Sequence, residues 1–196
     1  KLGQNVPRDL SHSHFCSLTV KNAIVDAFRE RLGARPSVDR DARLPLTLYI
    51  HKDKAKLFRS LSSFSLHKRG YRDAMHAGAL KETVAAGLIP DGPFVDPMCG
   101  SGTLVIEAAL KARKVAPGLL RLGHFGHAER GRYALEYWLD TDLVKWREEV
   151  DAARGAITDC SSFYASDLNV DLAMKDAYRA GVLDDIDLRK LNVKDA

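Results

Sequence analysis

The sequence predicts an α/β protein in which a basic helix-and-strand unit precedes an open, mostly parallel sheet with helices on both faces. From residue 94 onward, short apolar segments closed by an acid alternate with helical patterns, which is typical of a doubly wound sheet. Charge separates the two parts, because residues 1–72 hold 15 Lys and Arg against 6 Asp and Glu, whereas the remainder holds 15 against 20. A basic first third favours contact with a polyanion, although a solvated charged surface has the same composition.

Composition excludes several classes of protein. The chain has 196 residues, 45% of them hydrophobic, which is enough for one core and a small second module. No apolar run approaches the roughly 18 residues of a membrane-spanning helix, which favours a soluble protein. The cysteines Cys16, Cys99 and Cys160 form no C-x-x-C pair, and the 7 histidines share no ligand-type spacing with carboxylates. We therefore expect a reducing compartment, no disulfide framework and no metal.

The N-terminal unit, predicted over residues 1–62, contains a helix followed by strands. Apolar residues at three-and-four spacing predict a helix over 17–32 that ends at Gly33. The alternating segment 44–51 predicts a strand, with 56–65 as its neighbour. These elements are too few to close a core of their own, so the unit is interpreted as part of a domain.

A basic run follows the predicted junction at residues 62–65. Residues 66–72 place basic side chains around one aromatic ring, and the candidate RNA contacts are Lys68, Arg69, Tyr71 and Arg72. Cations beside a ring suit phosphate contacts and base stacking. A solvated turn with Tyr71 packed inward remains the alternative.

The second unit, predicted over residues 63–196, begins with a helix over 77–88. Alternating elements follow, with strands at 94–96, 162–167 and 186–193 and helices at 103–113 and 170–180. A glycine loop at 97–102 joins the first of these strands to its helix, so that the backbone can approach a ligand closely and leave N–H groups for an anion.

Three ligand classes use such a loop. A nucleoside triphosphate site needs a lysine after the glycines, and none follows Gly100 or Gly102. A nicotinamide site favours a third glycine or alanine where Val105 stands, which weakens that class without excluding it. A ligand with an amino-acid tail and a ribose needs an acid before the glycines and another after the next strand, which Asp96 and Asp167 supply.

The third class predicts S-adenosylmethionine as the ligand. Asp96 would take the ammonium group, the backbone of Gly100, Ser101 and Gly102 the carboxylate, and Asp167 the ribose hydroxyls. Cys99 has no base nearby in the sequence, so we expect it to pack under the ligand rather than to act as a nucleophile. Asp96 and Asp167 could instead only cap helices.

The segment Asp96–Thr103 (DPMCGSGT) resembles the first motif of the THUMP-associated RNA methyltransferases. Four further segments resemble the bacterial-type members that methylate a guanine exocyclic amine in large-subunit ribosomal RNA, namely 66–72, 106–109, 116–118 and 164–167. Three N-terminal segments are similar to the C-terminal half of that family's THUMP module, namely 13–15, 20–26 and 35–39.

The resemblance implies a Rossmann-like methyltransferase sheet, incomplete at its C-terminus, preceded by a partial α+β THUMP-like module that binds ribosomal RNA. It implies S-adenosylmethionine as the cofactor. The methionine moiety would contact Asp96 and the loop residues Pro97, Cys99, Gly100, Ser101 and Gly102. Asp167 would bind the ribose and Asp195 the adenine amine.

The resemblance also implies an insertion on the sheet, over residues 115–156. Five basic side chains there could touch RNA: Arg121, His124, His127, Arg130 and Arg132. Trp138 and Trp146 are expected to anchor the insertion to the methyltransferase domain as core residues.

The family's catalytic Asn-Pro-Pro-Tyr loop does not occur in these residues, and no catalytic residue is therefore assigned. The chain is interpreted as a fragment, a truncated product or a degenerate relative. An RNA methyltransferase is the first hypothesis, an inactive RNA-binding protein that keeps the fold is the second, and a nicotinamide oxidoreductase is a fold-level analogy. A bacterial cytoplasm is the expected location, with a eukaryotic organelle as the alternative.

Overall fold

A computed structural model describes residues 10, 12–39, 43–72, 79–125 and 132–195. The chain divides into two compact units: unit 1 comprises residues 1–63 and 133–141, and unit 2 comprises residues 64–132 and 142–196. Within the described ranges, no helix combines the length and the apolar character needed to cross a bilayer.

In its described residues, unit 1 contains one α-helix, one hairpin and the short 3-10 helix Ala134–Tyr137. Helix α1 (Ser13–Leu32) begins earlier than predicted because the His12 imidazole accepts a hydrogen bond from the Phe15 N–H, and it ends at Gly33 as expected, with a φ of 71°. Strands β1 (Leu46–His51) and β2 (Lys54–Arg59) pair antiparallel. The second strand was predicted at 56–65, and it lies further toward the N-terminus because only two residues, Lys52 and Asp53, form the turn.

Residues 133–141 belong to unit 1 although they lie far along the chain. Arg59 donates to both carboxylate oxygens of Asp140, at 3.0 and 2.7 Å, and its guanidinium lies 4.3 Å from the centre of a Trp138 ring. The Trp138 indole N–H donates to the Arg43 carbonyl at 3.0 Å. The expectation that Trp138 anchors the methyltransferase domain is therefore wrong, because its contacts are with the hairpin region.

Unit 2 contains a three-stranded parallel sheet in the order β3 (Val95–Asp96), β4 (Phe163–Asp167) and β5 (Ile186–Lys190). The α-helices in the described part of this unit are α2 (Glu82–Leu88), α3 (Thr103–Ala112), α4 (Pro117–Arg121), α5 (Leu143–Gly155) and α6 (Asp171–Ala180). The predicted alternation of parallel strands and helices is confirmed.

Helix α3 is the centre of the unit 2 core. Its residues Val105, Ile106 and Ala109 are fully buried, and the helix contacts α2, α6 and β4. Burying an aliphatic side chain stabilises the folded state by about 1.5 to 3 kcal/mol. Packing in the core therefore fixes the position of α3, which begins directly after the glycine loop.

Candidate cofactor site

The glycine loop turns directly from β3 into α3. Asp96 is the last residue of β3, Gly100 and Gly102 have φ angles of 54° and 74°, and Gly102 is the N-cap of α3. Both glycines therefore lie in the left-handed region that other residues adopt at a cost. A Cβ atom on Gly102 would lie 3.0 Å from the Ala173 Cβ of α6, so this glycine also permits the close approach of α6.

Hydrogen bonds from backbone and side-chain groups hold the loop against the end of β4. The Cys99 N–H donates to the Ser166 carbonyl at 2.9 Å, and the Ser166 hydroxyl donates to the Pro97 carbonyl at 3.2 Å. The Gly100 N–H donates to the Asp167 carboxylate at 2.9 Å. The loop is thus fixed in shape by the neighbouring strand before any ligand binds.

Two N–H groups expected to meet a ligand carboxylate are engaged within the protein. The Gly100 N–H is bonded to Asp167, and the Gly102 N–H donates to the Cys99 carbonyl at 2.7 Å. The structure therefore corrects the simple picture in which both glycine N–H groups point at the ligand. Their part is to shape the loop.

A cavity of about 490 Å³ opens beside the loop within unit 2. That volume lies within the range of roughly 300 to 1,000 Å³ typical of small-molecule sites. Four predicted site residues line it, namely Asp96, Cys99, Gly100 and Ser101. The other lining residues are Ala79, Leu80, Met98, Thr103, Leu104, Asn169 and Leu172.

The four remaining predicted cofactor residues do not line the cavity. Pro97 and Gly102 belong to the loop, and Asp167 reaches it through its bond to Gly100. Asp195 is exposed in a short 3-10 helix after β5 and does not line the cavity. Asp195 follows β5, which is the strand next to β4. The carboxyl ends of parallel strands lie at one edge of a sheet, which is where α/β proteins bind their ligands.

The two acids beside the loop have opposite electrostatic environments. Burial raises the pKa of Asp96, and the charge of Asp167 raises it further, against one hydrogen bond from the Met98 N–H. Hydrogen bonds from the N–H groups of Gly100 and Asn169 lower the pKa of Asp167. Among the residues that the structure describes, no cation acts on Asp96, and a buried carboxylate that faces a cavity in this way suits a cationic ligand group.

Cys99 is not an activated thiol. Burial, together with the charges of Asp96 and Asp167, raises its pKa to about 11. The thiol is therefore neutral near physiological pH and is not a nucleophile.

The basic run is turned inward, which overturns three of the four expected RNA contacts. Arg69 lies 3.4 Å from the Glu107 carboxylate, and the Tyr71 hydroxyl donates to the same carboxylate at 3.2 Å. Arg72 also is buried. Among these four residues, Lys68 alone has an exposed side chain. The physical reason is that a buried guanidinium needs a partner, and Glu107 on α3 supplies one.

Arg72 supports the cavity wall instead of binding RNA. It donates to the Leu80 carbonyl at 3.0 Å and to the Thr103 hydroxyl, and both of these residues line the cavity. Sequence reasoning also missed Asn169, whose side chain accepts from the Asp171 N–H at 3.1 Å just before α6. An Asn two residues after a strand-terminal acid was the available signal for it.

The basic residues expected in the insertion differ in their surroundings. Arg121 lies 3.4 Å from the centre of the Phe64 ring and donates to the Lys68 carbonyl at 3.1 Å, so it serves the fold. His124 is half-buried, and burial lowers its pKa, whereas Arg132 is exposed. His127 and Arg130 lie outside the described residues.

Two family profiles match this chain. The RMKL-like methyltransferase domain matches residues 69–196, and the THUMP domain matches residues 6–58. The ribosomal RNA large subunit methyltransferase K/L of Psychromonas ingrahamii is 41% identical over 184 residues, which are 89% of this chain and 24% of that protein.

Solved structures give the same picture. A possible methylase from Clostridium difficile 630 is 30% identical, with a TM-score of 0.75 over 97% of this chain and 51% of its own. A predicted N6-adenine-specific DNA methylase from Listeria monocytogenes is 33% identical, with a TM-score of 0.77 over 95% of this chain and 50% of its own. A putative methyltransferase complexed with SAH is 28% identical, with a TM-score of 0.72 over 100% of this chain and 52% of its own. The chain thus spans about a quarter of the curated relative and about half of these solved chains.

Proposed function

This chain belongs to the RMKL-like methyltransferase family, and from that premise we propose that it is the cofactor-binding part of an S-adenosylmethionine-dependent enzyme. The substrate we propose is the exocyclic N2 amine of a guanine in large-subunit ribosomal RNA. The THUMP match at residues 6–58 supports an RNA substrate, and the rRNA methyltransferase relative supports the large subunit. The proposed location is the bacterial cytoplasm.

One observation carries the cofactor proposal: Asp96 is only 9% exposed and lines a cavity beside a preformed glycine loop. Burial of a carboxylate is costly where no cation offsets it, and none within the described ranges acts on Asp96. An ammonium group in the cavity would offset that cost. The residues therefore fit a cofactor with an amino-acid tail. S-Adenosylmethionine also supplies a methyl group on a sulfonium, which is the group to be transferred.

The residues of unit 2 would divide the work of binding. Asp96 would hold the ammonium group, and Asp167 would accept the ribose hydroxyls. Because a carboxylate oxygen has more than one acceptor site, the bonds that Asp167 already accepts from Gly100 and Asn169 leave it capacity for hydroxyls. Asp195, after the neighbouring strand, is the proposed partner of the adenine amine.

Binding in this form would orient the cofactor rather than activate it. The loop is fixed to Ser166 and Asp167, so the cofactor would meet a rigid site. Transfer to a neutral amine depends mostly on alignment of the two reacting groups, and a guanine must leave its stack to present that amine. The proposed share of unit 2 in catalysis is therefore the fixed position of the cofactor.

The test is transfer of tritiated methyl from S-adenosylmethionine to unmodified large-subunit ribosomal RNA, with the whole natural protein that contains this sequence. We expect label in N2-methylguanine, and a loss of at least about tenfold in Asp96→Asn, because a charged hydrogen bond is worth about 1.5 to 3 kcal/mol. Asp184→Asn, which alters an exposed acid of the same unit, should be unaffected. RNA binding without label would favour the inactive RNA-binding protein instead.

A further inference from the structure

We propose that one face of the β1–β2 hairpin in unit 1 is a stacking platform for unpaired RNA. This inference rests on the proposed function for the identity of the nucleic acid, and it adds the form of RNA and the residues that bind it. The platform consists of the side chains that share this face, namely Thr47, Tyr49, His51, Lys54, Lys56 and Phe58.

The register of the hairpin assigns these side chains to one face. Residues directly opposite in an antiparallel pair project to the same side, and alternate residues along a strand share a face. Tyr49 lies opposite Lys56, His51 opposite Lys54, and Thr47 opposite Phe58. Every pair except the last thus joins a ring to a lysine, and the last adds a third ring.

The two faces of the hairpin differ in character. The opposite face carries aliphatic residues and Arg59, which is held by Asp140; of the aliphatic residues Ile50 is buried, whereas Leu46 and Leu57 are exposed. On the platform, Tyr49 is 38% exposed and Phe58 is 50% exposed. The platform face is distinguished by its chemistry, because it carries the three rings and two lysines, with Tyr49 and Phe58 exposed and His51 half-buried.

The geometry of the rings suits nucleic-acid bases. Tyr49 and His51 are nearly parallel, with an interplanar angle of 9° and ring centres 6.4 Å apart. This separation is close to twice the roughly 3.4 Å rise between stacked bases in one strand. A base has a π-face whatever its sequence, and base–aromatic stacking needs bases that are free of their own helix.

The charge of the hairpin complements a phosphate backbone. Lys54 and Lys56 lie on the platform, Lys52 lies in the turn, and the one carboxylate between Leu46 and Arg59 is Asp53, also in the turn. Lysines beside rings combine phosphate contacts with stacking, which is the arrangement of single-strand binding surfaces. A duplex would use the lysines but not the rings, because its bases are already stacked.

The test compares a labelled, unstructured oligoribonucleotide with a matched duplex RNA by fluorescence anisotropy. We expect Tyr49→Leu and Phe58→Leu each to weaken single-strand binding by about fivefold or more and to leave duplex binding within about twofold. Tyr178→Leu is the matched control, because Tyr178 is exposed on α6 of unit 2. Lys54→Gln and Lys56→Gln should weaken binding of both RNAs and lower the salt dependence by about 0.7 per lysine on the single strand. Lys145→Gln, which alters an exposed lysine of α5, should lower neither.

Two outcomes overturn the platform: single-strand affinities of the aromatic variants equal to wild type, or equal losses on single strand and duplex. Titration of each variant with S-adenosylhomocysteine separates this proposal from the proposed function. A chain that binds S-adenosylhomocysteine but no RNA would refute the platform and leave the cofactor site standing. A chain that binds single strands through Tyr49 and Phe58 but no S-adenosylhomocysteine would refute the cofactor site and leave the platform standing.

Discussion

Unit 2 contains two segments that both suggest ligand binding in the sequence, the basic run 66–72 and the glycine loop 96–102. The structure turns the basic run inward, where Arg69 and Tyr71 meet Glu107, and opens the loop toward a cavity. The difference teaches that charge alone does not predict what a side chain contacts. The strand, the two glycines and the helix around the loop are consecutive in the chain, so the course of the backbone there can be predicted from the local sequence.

The surroundings of the basic run could not be predicted from the local sequence, because its partners lie far along the chain. Glu107 is a helical residue 38 positions after Arg69, and only the packing of α3 brings the two together. Buried charges are tolerated when they are paired and hydrogen-bonded. Arg72 of the basic run stabilises residues that line the cavity, whereas the glycine loop lines the cavity directly.

The largest effect should come from breaking the inward network. Glu107→Gln removes the charge that faces Arg69 while keeping the side-chain volume, and loss of one partner of a buried ion pair costs about 3 to 5 kcal/mol. Denaturant unfolding measures this loss. Glu148→Gln, on an exposed position of α5, is the control. An unchanged unfolding midpoint in Glu107→Gln would contradict the buried Arg69–Glu107 pair and would support Arg69 as an RNA contact instead.

The next effect separates the two loop glycines. Gly102→Ala combines a φ of 74° with a Cβ position 3.0 Å from Ala173 Cβ and should cost about 2 kcal/mol. Gly100→Ala has a φ of 54° and nothing within 4 Å, so strain alone should cost about 1 kcal/mol. Urea unfolding of the two variants decides the order, and equal losses would show that α6 does not press on the loop.

The smallest effect is a stabilisation. The pKa of Asp96 is raised in the folded chain by burial, so the folded state holds its proton more tightly than the unfolded state does. Its contribution to stability is therefore present at low pH and is lost as the pH rises from the ordinary value of 3.8 through the folded value. Asp96→Asn should be slightly more stable than wild type near neutral pH, and the gain should shrink as the pH falls. Unfolding midpoints across that range test this, and a variant less stable at neutral pH would contradict it.

Much of the fold could be predicted because it depends on local patterns. The acid and glycines of 96–102 define the turn from β3 to α3, and the end of α1 at Gly33 was correct. The segment 133–141 was placed in the wrong unit because its contacts to Arg59 and Arg43 join residues about 80 to 95 positions apart. The periodicity of apolar residues does not predict contacts between residues so far apart in the chain.

The candidate site was predicted in part for the same reason. Asp96, Cys99, Gly100 and Ser101 line the cavity as their motif suggests. Leu80 and Leu172 also line it, but an apolar residue in a helix or loop carries no mark that distinguishes a cavity wall from core. The engagement of the Gly100 N–H by Asp167 was equally invisible, since it depends on how two strand ends meet.

The central claim is that the cavity beside Asp96 binds the amino-acid tail of the cofactor. Isothermal titration of the chain with S-adenosylhomocysteine, beside Asp96→Asn and the control Asp184→Asn, tests it most directly. We expect saturable binding in the wild type and in Asp184→Asn, and binding at least about tenfold weaker in Asp96→Asn, although that variant is folded. Equal binding by Asp96→Asn, or no binding by a folded wild-type chain, would contradict the claim.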